Sequence, residues 1–424
     1  MQLGVSSAAT QIEGGDYSHS WNDWYQKGRI HDGSNPARAC DHLNRWKEDI
    51  DIMAELGITI YRLGMEWARL EPVQGSYNDD AVQWYRQLLL YIKGKGITPL
   101  LTIHHFTNPM WFESLGGFAA AENIPVYLSF VEFVIRNFGD LVDEYVTINE
   151  PNVFAVLGYF QGLFPPGQRS MGAAFHVQSV LAGCHIQAYS LIHKLRSEMG
   201  YTNTKVGFAH HARVFSPKSK WNLWHRLCST LVARFFQGAV TRACLLGRFV
   251  FPLKNICKMP GGEYADFLGL TYYTRSAVSG LGDGVAEGVP VNDLGWEIYP
   301  QGIAECAGEL YSLLKRPIYI TENGTCDNND NFRSRYIYEH IKALSESGLP
   351  VERYYHWCFT DNFEWCEGES ARFGLVHVDY ESQKRTIKKS GEFYKAMIKY
   401  NGITDEIYKN YLTQEKYHYG NIKT

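Results

Sequence analysis

Tyr145-Val146-Thr147-Ile148-Asn149-Glu150-Pro151 and Pro317-Ile318-Tyr319-Ile320-Thr321-Glu322-Asn323-Gly324 decide how this chain folds. In both, four apolar or β-branched residues run into a short polar motif with a glutamate inside it. A short apolar run bounded by turn residues is the pattern of a strand buried on both faces, as in a parallel sheet. The glutamate then stands where the strand ends and its loop begins, the edge at which barrels and open α/β sheets bind ligands. Six more runs of this kind lie at residues 3–6, 58–63, 98–103, 205–209, 267–271 and 353–359. Between them fall amphipathic segments at residues 45–56, 79–95, 124–138, 173–199, 301–314 and 331–348. Strand–helix alternation at this spacing predicts βα units on a parallel sheet. Eight units predict an α/β fold closed as a single (β/α)8 TIM barrel over residues 1–424, rather than an open doubly wound sheet.

Composition sets the outer bounds. Of 424 residues 45% are hydrophobic, enough for a large core, and the net charge of −4 is too close to neutral to suggest a nucleic-acid partner. The nine cysteines are scattered, and none form Cys-x-x-Cys or a zinc spacing, so they read as buried thiols in a reducing compartment. No basic-then-apolar leader opens the chain, and no apolar run approaches the roughly 20 residues of a spanning helix; the cytoplasm is the expected location. The glycine-rich stretch at residues 279–290 does not fit Gly-x-Gly-x-x-Gly and reads as a loop over the barrel mouth. The last ~20 residues are polar and are expected to wrap the outside.

One segment stands apart. Residues 213–258 contain no Asp or Glu but nine Lys or Arg, interleaved with Trp221, Trp224, Phe235, Phe236, Phe249 and Phe251. This pattern is compatible with an oligomer contact, an anionic partner or a membrane surface, but the first expectation is a barrel helix whose cations pair with acids elsewhere.

The candidate chemistry gathers at the strand ends. Two glutamates delivered there by different strands match the need of glycosidic bond cleavage, one holding a proton and the other ionised. Pro151 has no N–H to donate to Glu150, which favours its protonated form; Glu322 lies among donors expected to keep it ionised. Arg62 ends the run Tyr61-Arg62-Leu63 on the same barrel face, where its guanidinium can hold a carboxylate or form a strand-end salt bridge. The Tyr273 hydroxyl can donate to a carboxylate, or its ring can fill the core. His104 and His105 follow a strand, so at most one faces the mouth; like His210-His211, they lack metal-ligand spacing. Trp357 precedes Asp361-Asn362-Phe363-Glu364-Trp365, in which carboxylate beside indole can accept from sugar hydroxyls and stack on a pyranose face.

Taken with Ala8-Ala9-Thr10-Gln11-Ile12-Glu13-Gly14, Trp46-Lys47-Glu48-Asp49-Ile50, Thr102-Ile103-His104-His105 and Arg372-Phe373-Gly374-Leu375-Val376, these motifs give the chain a resemblance to glycoside hydrolase family 1, the retaining β-glycosidases, nearly end to end. The resemblance implies Glu150 as acid/base and Glu322 as nucleophile. It implies Arg62 and Tyr273 as partners of the nucleophile, and Gln11, His105, Asn149, Glu364 and Trp365 at glycone-binding positions. Trp357 becomes the platform between glycone and aglycone, and Phe373 joins the substrate-binding residues. The sequence departs from the family at Thr271, where Asn is usual, at Leu63-Gly64, where Phe-Ser is usual, and in the acid-free segment.

The implied reaction is double displacement with carboxyl groups ~5–5.5 Å apart and no metal or organic cofactor. Glu364 replaces the serine of phosphoglycosidases, so the expected substrates are small unphosphorylated β-glycosides, glucosides first and galactosides or fucosides next. A transglycosidase on the same site and a sugar-binding pseudoenzyme are the alternatives.

Overall fold

The eight apolar runs form the strands of one closed barrel. In the computed structural model, which describes residues 1–280 and 282–419, these are β1 (Gln2–Ser6), β2 (Ile60–Gly64), β3 (Thr98–His104), β4 (Glu144–Asn149), β5 (Lys205–His211), β6 (Leu268–Thr271), β7 (Ile318–Asn323) and β8 (Val351–Trp357). Each pairs in parallel with its neighbours in chain order, and β8 closes on β1. Helices follow the strands on the outside. Their ends obey local chemistry: Asn78 caps Asp79–Gly94 by accepting from the Ala81 N–H at 3.1 Å, with Asp79 and Asp80 in the positive first turn. Pro125 opens Ile124–Phe138, where its missing N–H costs nothing.

The floor of the barrel is filled and paired. Ile60, Leu100, Val146, Ala209, Phe267, Tyr319 and Tyr355 form a buried cluster of their own, with Phe267 and Tyr319 stacked at 4.4 Å. Beside them Glu144 takes two bonds from the Arg353 guanidinium, one of them 2.7 Å from Nη2 to Oε1.

Toward the other end the pleat is interrupted. Tyr319 faces the interior, so strict alternation would send Thr321 inward and Glu322 out. The β7–β6 register shifts between Ile320 and Glu322, and the β4–β5 register shifts between Val146 and Asn149. Such irregularities re-aim side chains at barrel rims, and here they turn Asn149, Glu150 and Glu322 into the mouth. Gly324 is required by the same packing, because a Cβ there would collide with the Trp357 carbonyl oxygen at the end of β8.

The remaining segments lie around this frame. The stretch at 279–290 is not wholly loop: Asp283–Gly284 pairs with Ala277 and Val278, while Leu281 lies outside the described residues. His418–Tyr419 pairs with Pro290–Val291 on the exterior, and Glu415 is buried, accepting from the Arg335 N–H at 2.6 Å; residues 420–424 lie outside the described residues. All nine cysteines are free thiols. Among the described residues no helix is long and apolar enough to cross a membrane.

Candidate active site

A cavity of about 710 Å³ opens at the C-terminal end of the strands. His105, Glu150, Tyr273, Glu322, Trp357, Glu364, Trp365 and Phe373 line it. Arg62, Asn149 and Gln11 lie buried beneath that lining. Sequence positions from 11 to 373 therefore converge on one space.

Arg62 organises the floor of the cavity. Its Nη1 pairs with Glu322 Oε1 and donates to the Thr321 carbonyl at 3.1 Å, Nε donates to Thr102 Oγ1 at 3.0 Å, and Nη2 donates to Asn149 Oδ1 at 2.6 Å. With its oxygen committed to Arg62, Asn149 presents its amide hydrogens to His105 Nε2 at 3.0 Å. Nε2 must then be the acceptor, so the His105 proton sits on Nδ1. That Nδ1 is buried without a protein partner, as is Gln11 Oε1. Gln11 Nε2 is engaged with the Phe363 carbonyl at 2.9 Å and Glu364 Oε2 at 3.3 Å. One free donor and one free acceptor are left. His104, by contrast, bonds Asn108 at 2.8 Å and packs among Phe118, Tyr127 and Phe154.

The two strand-end glutamates are held differently. Glu322 has Arg62 on one oxygen and the Tyr273 hydroxyl on the other at 2.7 Å. Asn323 braces it from behind, donating to the Tyr272 carbonyl at 2.7 Å and accepting from the Tyr354 hydroxyl at 2.8 Å. Glu150 has no cation in contact. It sits at φ 43°, in the left-handed region, at the start of the turn Pro151–Ala155, and its N–H donates to the Ala209 carbonyl at 2.7 Å. Its Oε1 meets His211 Nδ1 at 3.0 Å. Arg213 donates to the far side of that ring, from Nε at 3.3 Å and Nη2 at 3.2 Å. Arginine can only donate, so His211 Nε2 accepts and the Nδ1–H points at Glu150. Burial, then Arg213, holds the His211 pKa well below its usual value and the ring neutral.

Burial dominates the electrostatics. It pushes Glu150 up to about 8, against the opposing fields of Arg62 and Arg213 and a bond from Thr271. It also pushes Glu322 up to about 7, with the Arg62 charge lowering it and the Glu150 charge raising it. The expectation of a plainly ionised Glu322 is thus corrected. Its donors do not keep it in the ordinary carboxylate range; they place it below Glu150, so it ionises first. Glu364 is likewise raised to about 8 by burial.

Sequence reasoning missed the site roles of three residues, His211, Arg213 and Trp296. His211 was visible only as a histidine without metal spacing, and Arg213 only as one cation of the basic segment. Thr271, expected to weaken a polar contact, is fully buried with its hydroxyl 3.3 Å from that of Thr321. Trp296 adds an indole 5.9 Å from Tyr273 and 6.1 Å from Phe373. Among the described residues no group of three or more His, Cys, Asp or Glu is placed to hold a metal ion.

The profile of glycosyl hydrolase family 1 matches residues 2–403. The beta-glucosidase A of Thermotoga maritima is 32% identical over 440 residues, covering 95% of this chain and 97% of that protein. A protein of Arabidopsis thaliana named galactolipid galactosyltransferase SFR2, chloroplastic, is 30% identical over 87% of this chain and 60% of its own length. The solved beta-glycosidase from Pyrococcus horikoshii superposes with a TM-score of 0.87 at 33% identity, covering 96% of each chain. Profile, sequence and barrel agree over nearly the whole length: this chain belongs to glycosyl hydrolase family 1 and is an O-glycosyl hydrolase.

Proposed function

We propose that the protein is a retaining β-glycosidase that removes terminal β-D-glucosyl residues, and galactosyl or fucosyl residues less readily, from unphosphorylated glycosides. The observation that carries this is the asymmetry of the two buried glutamates, Glu322 on Arg62 and Tyr273 and Glu150 on a neutral imidazole, in one cavity. Glu322, the first to ionise, attacks the anomeric carbon. The bond from that carbon to the aglycone oxygen breaks, and the Glu150 proton goes to the departing oxygen. The glycosyl ester on Glu322 carries no charge, so Glu150 loses a like-charged neighbour and its pKa falls. Glu150 then takes a proton from water, the water oxygen attacks the anomeric carbon, and Glu322 leaves as carboxylate.

The unpartnered His105 Nδ1–H and Gln11 Oε1 supply a donor and an acceptor for sugar hydroxyls, and Trp357 and Trp365 supply stacking faces. Glu364, beside Gln11, adds an acceptor and sets a carboxyl where a phosphate would need a cation. The test is Glu322→Ala. Cleavage of nitrophenyl β-glucoside should fall by roughly 10⁴-fold or more. Added azide should restore part of it and yield the α-glucosyl azide. For the unaltered enzyme, NMR of the first product should show the β anomer. An α first product, or an active Glu322→Ala enzyme without azide, would sink the assignment. A second reading, transfer of the glycosyl group to an alcohol, has one support in the galactosyltransferase name of the Arabidopsis relative. Product ratios in the presence of added alcohol separate the two.

A further inference from the structure

The acid-free segment does not become a helix neutralised by neighbours. Arg213 pairs with Asp283 at 3.0 Å, but Lys218, Lys220, Arg226, Arg234, Arg242, Arg248, Lys254 and Lys258 form no ion pair among the described residues. Near these cations lie apolar side chains that a globular protein normally buries. Trp221 is 94% exposed, Leu223 75%, Trp224 60%, Leu227 51% and Phe251 73%. They are not scattered. Along the helix Leu223–Ala233 and onto Arg234, which follows it, residues 223, 226, 227, 230 and 234 recur at one-turn spacing and are exposed, while Cys228 and Ser229 pack inward. Phe251 continues the face, its carbonyl accepting from Arg234 Nε at 3.3 Å and its ring 6.2 Å from Phe235.

The face adjoins the catalytic mouth. It belongs to the connection after β5, on the side of the barrel where the strands end. An apolar groove of about 200 Å³, walled by Leu157, Phe160, Phe175, Phe215, Phe235 and Phe236, runs beneath it and shares Leu157 and Arg213 with the catalytic cavity. Phe236 stands 5.7 Å from His211, the ring that touches Glu150.

We propose that this face seats the protein on a bilayer containing anionic lipid, with the catalytic mouth on the membrane side. Two physical terms act together. Exposed indoles and leucines insert at the headgroup boundary, where an aromatic body is buried and its polar edge stays wet. Unpaired Lys and Arg around them are drawn to the negative surface potential. A protein partner would equally cover the apolar residues, but the absence of any acid over 46 residues (213–258) specifies a negatively charged surface. The seating does not depend on the catalytic roles assigned above.

The experiment is flotation of the full-length protein with vesicles of phosphatidylcholine alone and of phosphatidylcholine with 30% phosphatidylglycerol. The bound fraction should be at least several-fold higher on the anionic vesicles and should fall as salt is raised. The variant W221S/L223S/W224S/L227Q and the variant K218E/K220E/R226E should each lose that binding, while both hydrolyse a soluble nitrophenyl glucoside at the unaltered rate. Equal binding to both vesicle types, or none to either, overturns the proposal. So does a protein that is dimeric in solution, becomes monomeric in the apolar variant and never floats, which would assign the face to a second copy of this chain.

Discussion

The two ends of the barrel use the same residues to opposite ends. Strand β4 begins with one buried glutamate, Glu144, and hands on to another, Glu150, immediately after its last residue. At the floor, Glu144 is grasped by Arg353 through two hydrogen bonds, with Lys205 at 3.8 Å, in register with its neighbours and surrounded by stacked rings. At the mouth, Glu150 leaves a shifted register in a left-handed conformation, with no cation in contact and only neutral donors, the His211 imidazole and the Thr271 hydroxyl. Burial raises both pKa values, but at the floor two cations oppose it closely, whereas at the mouth the opposing charges stand farther off and the shift reaches about 8. A buried carboxyl that is fully satisfied is structure; one left short of donors keeps a proton available for chemistry.

The sharpest way to break this contrast is to truncate each glutamate. Glu144→Ala strands Arg353 in the floor and should cost about 3–5 kcal/mol of stability, read as a lowered denaturation midpoint, while kcat of the folded protein is kept. Glu150→Ala removes a carboxyl that the fold does not need. It should leave the midpoint unchanged or raised but slow hydrolysis of an alkyl β-glucoside, whose leaving group needs the proton, by roughly 10²–10⁴-fold. Reversed outcomes, an inactive but stable Glu144→Ala or an unfolded Glu150→Ala, would show that the division between floor and mouth is wrong.

The floor was far easier to read from the sequence than the mouth. All eight barrel strands coincide with apolar runs to within a few residues, because parallel strands covered on both faces advertise themselves as uninterrupted Val, Ile, Leu and Tyr. Helix 124–138 is legible to the residue, since its apolar stripe and Pro125 agree. What governs the mouth is not carried by local pattern. Alternation from Tyr319 puts Glu322 on the wrong face, and only the register shift against β6 corrects it. The Arg62–Asn149–His105 relay joins three strands, and no spacing in the sequence announces it. Glu322 looked well supplied with donors, but the weight of its burial, which lifts it to about 7, exists only once the barrel closes.

A smaller effect tests whether the mouth is unsatisfied in the folded state itself. Glu364 rises from 4.5 to about 8 through burial, so the folded protein holds its proton more tightly than the unfolded chain. Its favourable contribution is complete below the unfolded pKa and is lost as pH climbs through about 8. Glu364→Gln keeps the shape without the charge. Its denaturation midpoint should therefore gain on the unaltered protein steadily between about pH 5 and pH 9. A difference that stays flat over that range would mean that folding does not perturb this carboxyl.

The smallest expected effect concerns Arg213, which reaches Glu150 from behind the His211 ring. Activity requires Glu322 ionised and Glu150 protonated, so kcat/KM should describe a narrow bell, with an acid limb near 7 and an alkaline limb near 8 that belong to the pair. Arg213 lies behind His211 and lowers the Glu150 pKa through its charge. Arg213→Met removes that field and also frees Asp283, whose negative charge acts in the same direction. Glu150 should then hold its proton to higher pH, moving the alkaline limb upward by roughly half a unit to one unit, with the acid limb nearly unmoved. A downward shift, or movement of both limbs together, would mean that Arg213 acts on Glu322 rather than through the His211 side of the site.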